Sequence, residues 1–230
     1  MKNRLFSRTL IALCIATFVA CEKQQPLAPE PDTILGNPSV AGIPLALGNK
    51  WVYAETLLDP KGAILNTETV TNEIIREFAD GTQHWFVLRT TRGQTSSEIY
   101  VANINGAQYY RNQVDSLSLL YLIFPPSSSN SFNMERPVPG LLGIPDTVVH
   151  VPCTISPTSS IVRVPIGRFF AFQYTSPQVD VSFKSGFTMT IGMMELYLSD
   201  QGLVSLVGYS NFQGNQYVSS IQELTDVTIR

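Results

Sequence analysis

The sequence predicts a mainly β fold: an antiparallel meander forming a curved sheet, half-barrel or barrel-like domain with little helix. Two observations predict it. From Trp51 onward, apolar and polar residues alternate with period two, the pattern of a strand with one dry face and one wet face. Between the alternating runs sit tight-turn dipeptides, Asp80-Gly81 and Asn105-Gly106 among them, which supply the positive φ angles of two-residue hairpins. The chain has 230 residues, a length that suits one all-β domain of roughly 200–250 residues.

The first element is not part of that domain. Lys2, Arg4 and Arg8 precede the apolar run TLIALCIATFVA, and no acid interrupts them. The run is about a dozen residues long, short of the ~20 that span a bilayer as a helix. A basic start followed by a short apolar region is the pattern of a secretory signal. Its ending, Phe18-Val19-Ala20-Cys21, resembles the lipobox of bacterial lipoproteins, with Phe where Leu is usual. The resemblance implies cleavage after residue 20 and acylation of Cys21. Two or three acyl chains on one cysteine anchor stably where a single chain binds only marginally. Glu22 is not the Asp that marks inner-membrane retention in sorted lipoproteins, so the resemblance implies an outer-membrane address. The membrane is thus a partner through Cys21.

Cleavage leaves 12 basic against 18 acidic residues, a formal charge of −6. An acidic chain without basic runs excludes nucleic-acid binding by a charged surface. Residues 21–41 follow, with Pro26, Pro29, Pro31 and Pro38 among polar residues. They read as a semi-rigid tether, and the domain reads as 42–230.

The domain opens at IPLALGNKWVY (43–53), where Gly48-Asn49 turns the chain so that Trp51 and Tyr53 enter the sheet on one face. Breaks at Asp59 to Gly62, Asp80-Gly81, Arg92-Gly93 and Asn105-Gly106 divide the next runs into hairpins. DSLSLLYLIF (115–124) fits a helix capped by Asp115 or a buried strand. The stretch from about 125 to 146 reads as a long polar loop. TVVHVPCTI is an apolar strand. It holds Cys153, the one cysteine left once Cys14 is removed and Cys21 is acylated, and so without an internal disulfide partner. In VRVPIGRFFAFQY (162–174), Gly167 follows Pro165 at a bend, and Phe170, Phe172 and Tyr174 are expected inward. In DVSFKSGFTMTI, Val181, Phe183, Phe187, Met189 and Ile191 share one face around a bend at Ser185-Gly186. Gly202 permits the next hairpin, and Gly214-Asn215 the last.

Three of these segments together resemble a family. IPLALGNKWVY, VRVPIGRFFAFQY and ELYLSDQGLVSL (195–206) look like the Pro-Leu-x-x-Gly-Asn-x-Trp-x-Tyr opening, the Val-Pro-x-Gly-x-Phe middle and the late Gly-Leu-Val hairpin of many uncharacterised bacterial lipoproteins. Ile166 and Asp200-Gln201 depart from the family pattern. The resemblance implies an envelope location and a β architecture, and carries no assigned activity. It singles out Gly48, Asn49, Trp51, Tyr53, Pro165, Gly167, Phe169 and Gly202 as structural motif residues.

No catalytic, cofactor or metal constellation is legible. His84 and His150 each lie in a strand-like run without ligand-spaced partners. Gly-x-Ser-x-Gly and a phosphate loop are both missing. The abundance of aromatics, with pairs such as Tyr109-Tyr110 and Phe169-Phe170 placing rings on both faces of a strand, raises the question of what covers the second face. The expectation is a non-catalytic module binding an apolar ligand, a lipid or an envelope protein. The alternatives are an envelope hydrolase with an unrecognised site and a purely structural lipoprotein.

Overall fold

The computed structural model describes residues 34–38, 42–112, 120–125, 130–138, 147–182 and 188–230. The leader and Cys21 lie outside the described residues. So do Phe183 and Phe187 of the expected hairpin face, and residues 115–119 of the 115–124 segment whose helical or extended state the sequence leaves open; its residues 121–124 are strand.

Among the described residues fifteen strands follow in order: β1 (Lys50–Leu58), β2 (Ile64–Asp80), β3 (Gln83–Arg92), β4 (Thr95–Ile104), β5 (Ala107–Arg111), β6 (Tyr121–Phe124), β7 (Ser131–Val138), β8 (Thr147–Ile155), β9 (Ser160–Val164), β10 (Gly167–Ser176), β11 (Val179–Ser182), β12 (Thr188–Ile191), β13 (Met194–Ser199), β14 (Gly202–Phe212) and β15 (Asn215–Thr228). No helix occurs among the described residues. The main sheet runs β6-β5-β4-β3-β2-β1-β15-β14-β13-β10-β8-β7, with β9 on β10 and every pairing antiparallel. The two terminal strands of that path, β6 and β7, come back against each other, so the meander is a nearly closed barrel. At this seam a side chain takes the place of a ladder bond: Leu122 N–H donates to Glu135 Oε2 at 3.0 Å.

The β2–β3 turn is Gly81-Thr82, one residue later than the Asp80-Gly81 signal: Asp80 ends β2 opposite Gln83, and the positive φ falls on Gly81 alone. Asn105 (φ 52°) and Gly106 (φ 79°) form the β4–β5 turn with two positive φ angles. The β14–β15 turn uses Gln213 and Gly214 in the same way, one residue earlier than the sequence suggests. β11 and β12 pair in the register of β10 and β13, so residues 172–182 run against 188–198 in one register, interrupted at 177–178 and 192–193.

Two regions differ from the sequence expectation. Ser131–Val138, inside the stretch expected to be a long polar loop, is strand β7 and pairs along its whole length with β8. β7 is the last strand of the hydrogen-bonded order, a position where Pro137, lacking an N–H, is tolerated. In β10 the buried face is Phe169 and Ala171, not Phe170, and only from Phe172 does the expected phase hold. The switch coincides with a change of neighbour: residues 167–171 pair with β9 and residues 172–176 with β13.

Two apolar clusters fill the barrel. One holds Trp51, Tyr53, Ile74, Leu88, Phe169 and Leu224, the other Phe124, Val151, Tyr174, Leu196 and Leu198, and Ile43, Ile123 and Leu203 pack against both. Cys153 is buried in the second cluster. Tyr174 stands edge-on to Phe124 and Phe132, at 5.8 and 6.2 Å between ring centroids.

Candidate functional site: a closed floor and a polar mouth

The three segments singled out by the sequence meet at one end of the barrel, the end that carries the β9–β10 and β13–β14 turns. Trp51 is 1 % exposed, and its indole N–H donates to the Gln201 carbonyl at 2.6 Å. Tyr53 donates to Leu203 O at 3.0 Å. Burial drives the Tyr53 phenol far above its ordinary pKa. Gly202 (φ 102°) lies directly under the Trp51 indole, where a Cβ would stand 2.8 Å from Nε1. Asn49 is fully buried. Its Nδ2 donates to Pro44 O at 3.0 Å, and its Oδ1 accepts from Arg230 N–H at 2.8 Å. Gly48 N–H donates to Ile74 O at 2.8 Å, so the Gly48-Asn49 turn ties the start of β1 to both β2 and the C-terminus. Pro165 forms the β9–β10 turn just before Gly167. Asn49, Trp51, Tyr53, Gly167, Phe169 and Gly202 are buried, whereas Pro165 is exposed in its turn.

The chain segment before β1 completes the barrel floor. Ile34–Pro38, assigned to the tether by its proline content, is bonded to the barrel. Leu35 N–H donates to Arg168 O (2.8 Å), Phe170 N–H to Gly36 O (3.1 Å) and Asp200 N–H to Asn37 O (2.7 Å). The Asp200 carboxylate accepts from Asn37 N–H and Nδ2 at 3.0 and 3.2 Å. Leu35 fills the notch left by Gly167. Farther on, buried Gln108 of β5 imitates a peptide group: Nε2 donates to Ile43 O at 3.0 Å, and Oε1 accepts Ile43 N–H at 3.2 Å. Sequence reasoning missed this role. The alternation of AQYYR contains Gln108, but its partner stands 65 positions away.

The opposite end, with the β1–β2, β3–β4 and β14–β15 turns, is mixed: Leu57, Ile64, Leu65 and Phe212 are exposed beside the β1–β2 and β14–β15 turns, while polar groups gather on the inward face and on the β3–β4 hairpin. Along β1 the inward face passes from Trp51 and Tyr53 to Glu55, which is 8 % exposed. Glu55 stands opposite Glu68 of β2 on one side and Gln222 of β15, also buried, on the other. Arg92 of β3 joins the two carboxylates: Nη1 is paired with Glu55 Oε2 and lies 3.5 Å from Glu68 Oε1. Two carboxylates facing across a strand pair repel, and the guanidinium between them offsets that. The same alternation that buries Trp51 and Tyr53 brings Glu55 inward, a signal legible in the sequence and overlooked there. Beside Arg92 a cavity of about 140 Å³ opens at the barrel mouth, lined by Thr90, Arg92, Thr95, Ser96 and Ser97.

The histidines are exposed and each faces one carboxylate: His84 Nε2 is 3.6 Å from Glu77, and His150 Nδ1 is 3.7 Å from Glu135. Among the described residues, no group of three His, Cys, Asp or Glu is placed to hold a metal ion. Asp180, exposed, accepts from Thr190 Oγ1 at 2.6 Å. Glu195 accepts from Tyr197 O–H at 3.0 Å. Burial first, and then the Glu195 carboxylate, push the Tyr197 phenol up to about 12.

Fold and site together define a class: a nearly closed antiparallel β-barrel, floored by its own N-terminal segment, with a buried carboxylate and an Arg92 ion pair toward the open end. No protein-family model matches the chain, and no curated protein matches it. Among solved structures it is similar to a protein of Parabacteroides distasonis assigned as a lipoprotein, at 14 % identity and a TM-score of 0.49, over 81 % of this chain and 97 % of that one. It is also similar to a protein of Bacteroides fragilis assigned as exported, with a YmcC-like fold, at 11 % identity and a TM-score of 0.47, over 82 % of this chain and 99 % of that one.

Proposed function

We propose that the protein is an outer-membrane lipoprotein, anchored through acyl chains on Cys21, whose barrel is a binding module that engages its ligand or envelope partner at the open mouth. The lipobox-like Phe18-Val19-Ala20-Cys21 supports the anchor, and the three-motif order supports the kinship with uncharacterised bacterial lipoproteins. The observation that carries the binding reading is the asymmetry of the barrel. One end is sealed by Ile34–Pro38, Gln108 and Trp51, while the other carries an open cavity on the β3–β4 hairpin, lined by Arg92 and by threonine and serine residues, with Arg92 also paired to Glu55 and near Glu68. Barrel mouths are a recurrent place for ligands. The apolar interior is occupied by Trp51, Tyr53, Phe169, Leu198 and Leu224, so an apolar guest would have to displace the protein's own core.

Two measurements test the reading. Cys21→Ser abolishes labelling by an acyl-chain analogue and leaves unprocessed precursor or soluble product; a mutant that keeps its label and its membrane fraction refutes the anchor. Native mass spectrometry of protein extracted in mild detergent shows a co-purifying molecule; an empty barrel that turns over envelope substrates refutes a binding module.

A further inference from the structure

We infer that the cavity between Arg92 and Ser97 binds a neutral, hydroxyl-rich ligand the size of one sugar ring, which deepens and rests on the binding-module reading. The first argument is the disposition of hydrogen-bonding groups on the wall. Thr90 Oγ1 donates its proton to Asn72 Oδ1 at 2.8 Å, and Thr95 Oγ1 donates to Arg92 O at 2.9 Å. Both threonine oxygens therefore present lone pairs. The Ser97 hydroxyl, and Nε and Nη2 of Arg92, take no side-chain hydrogen bond among the described residues, which leaves them as donors. A hydroxyl group both donates and accepts, and matches a wall of mixed character better than a pure acceptor or a pure donor does.

Charge narrows the class further. Glu55, Glu68 and Arg92 sum to one negative charge at neutral pH, so an anion approaching Arg92 meets a carboxylate field. A cation has to compete with the guanidinium already placed between the carboxylates. A neutral ligand avoids both costs. Because buried Glu55 fixes one edge of the guanidinium, the remaining donors are set in place before the ligand arrives, which lowers the ordering cost of binding. Size completes the argument. A space of about 140 Å³ is well under the ~300 Å³ at which drug-sized pockets begin, so it takes a single ring or the end of a chain.

The inward face also changes character where the cavity begins. Leu88, Ile99 and Val101 pack in the apolar cluster, whereas Thr90, Arg92, Thr95 and Ser97 continue the same face toward the mouth. A hairpin rim needs turn residues only at its tip, here Gly93 and Gln94.

The test is saturation-transfer NMR on the detergent-solubilised full chain with methyl glucoside, methyl galactoside and N-acetylglucosamine, alongside glucuronate and glucosamine as charged counterparts. At least one neutral sugar receives transfer. Ser97→Leu, which fills the cavity, abolishes it, and Ser97→Ala, which removes only the hydroxyl, weakens binding up to roughly tenfold. Ser97 is exposed, so both variants retain the wild-type unfolding temperature. The inference is overturned if no neutral sugar receives transfer, if transfer survives Ser97→Leu unchanged, or if a charged counterpart binds more tightly than its neutral parent. A co-purifying molecule that is not a saccharide overturns this inference and leaves the binding-module reading standing.

Discussion

Gly202→Ala isolates the contact on which the barrel floor depends. Two effects oppose the new methyl group. The first is conformational: at φ 102° an L-residue is strained, at about 1–3 kcal/mol. The second is steric. The added Cβ lands 2.8 Å from Trp51 Nε1 and 3.3 Å from Cε2. The indole has no easy retreat, because its N–H is bonded at 2.6 Å to Gln201 O and its ring is buried at 1 % exposure. Overpacking at such a site adds about 1–3 kcal/mol. The expected loss is therefore about 2–6 kcal/mol in urea unfolding followed by tryptophan fluorescence. Gly62→Ala is the control. Gly62 also has a positive φ, 81°, but nothing lies within 4 Å of its prospective Cβ, so only the backbone cost of about 1–3 kcal/mol applies. If the two variants lose equal stability, the steric account of the floor is wrong. If Gly202→Ala costs less than 1 kcal/mol, both parts of the reasoning fail.

Three further outcomes follow from the same geometry. Deleting residues 22–33 leaves the unfolding temperature unchanged, whereas extending the deletion through Pro38 lowers stability by about 1–2 kcal/mol through loss of the Leu35, Gly36 and Asn37 backbone bonds; equal stability of the two truncations contradicts a docked segment. Gln108→Leu strands the Ile43 N–H and carbonyl beneath the floor and costs about 2–4 kcal/mol in thermal or chemical unfolding, and a loss below 1 kcal/mol removes Gln108 from the structure's support. Burial raises the folded pKa values of Tyr53, Tyr174 and Tyr197 above the ordinary 10.0, so the native state holds these protons more tightly than the unfolded chain. Their contribution is complete below pH 10 and declines as pH rises, for Tyr197 between 10.0 and about 12. Tyrosinate absorbance for Tyr53 and Tyr174 appears together with unfolding, and gradual titration of all tyrosines near their ordinary pKa refutes the burial.

The fold was legible because its determinants are local. Asn105-Gly106 dictates its own turn, and Trp51 and Tyr53 declare a buried face by their spacing. What stayed hidden depends on partners distant in sequence. Ser131–Val138 looks like a loop until apolar β8 is laid beside it. The phase of β10 shifts because its neighbour changes from β9 to β13, which no window on β10 reveals. Ile34–Pro38 carries proline and glycine like a linker, yet it fits the vacant edge of β10 between Arg168 and Phe170. The candidate site divides along the same line. The alternation Trp51, Tyr53, Glu55 already puts a carboxylate inside the barrel. That Arg92 answers it from across β2 is a property of sheet register.

The docked N-terminal segment has a mechanical consequence. A pull from the upstream chain does not reach the β1 ladder directly. It meets the Leu35, Gly36 and Asn37 bonds one after another, then the Gln108 grip on Ile43, then the Gly48-Asn49 turn. Bonds loaded in sequence yield at lower force than a ladder loaded all at once. Residues 34–49 have a stretched length of about 50 Å at ~3.3 Å each, and that length less the span they already cover is released before β1 bears tension. The segment is a built-in fuse: it lets out chain under load while the barrel, and the mouth at its far end, keep their shape.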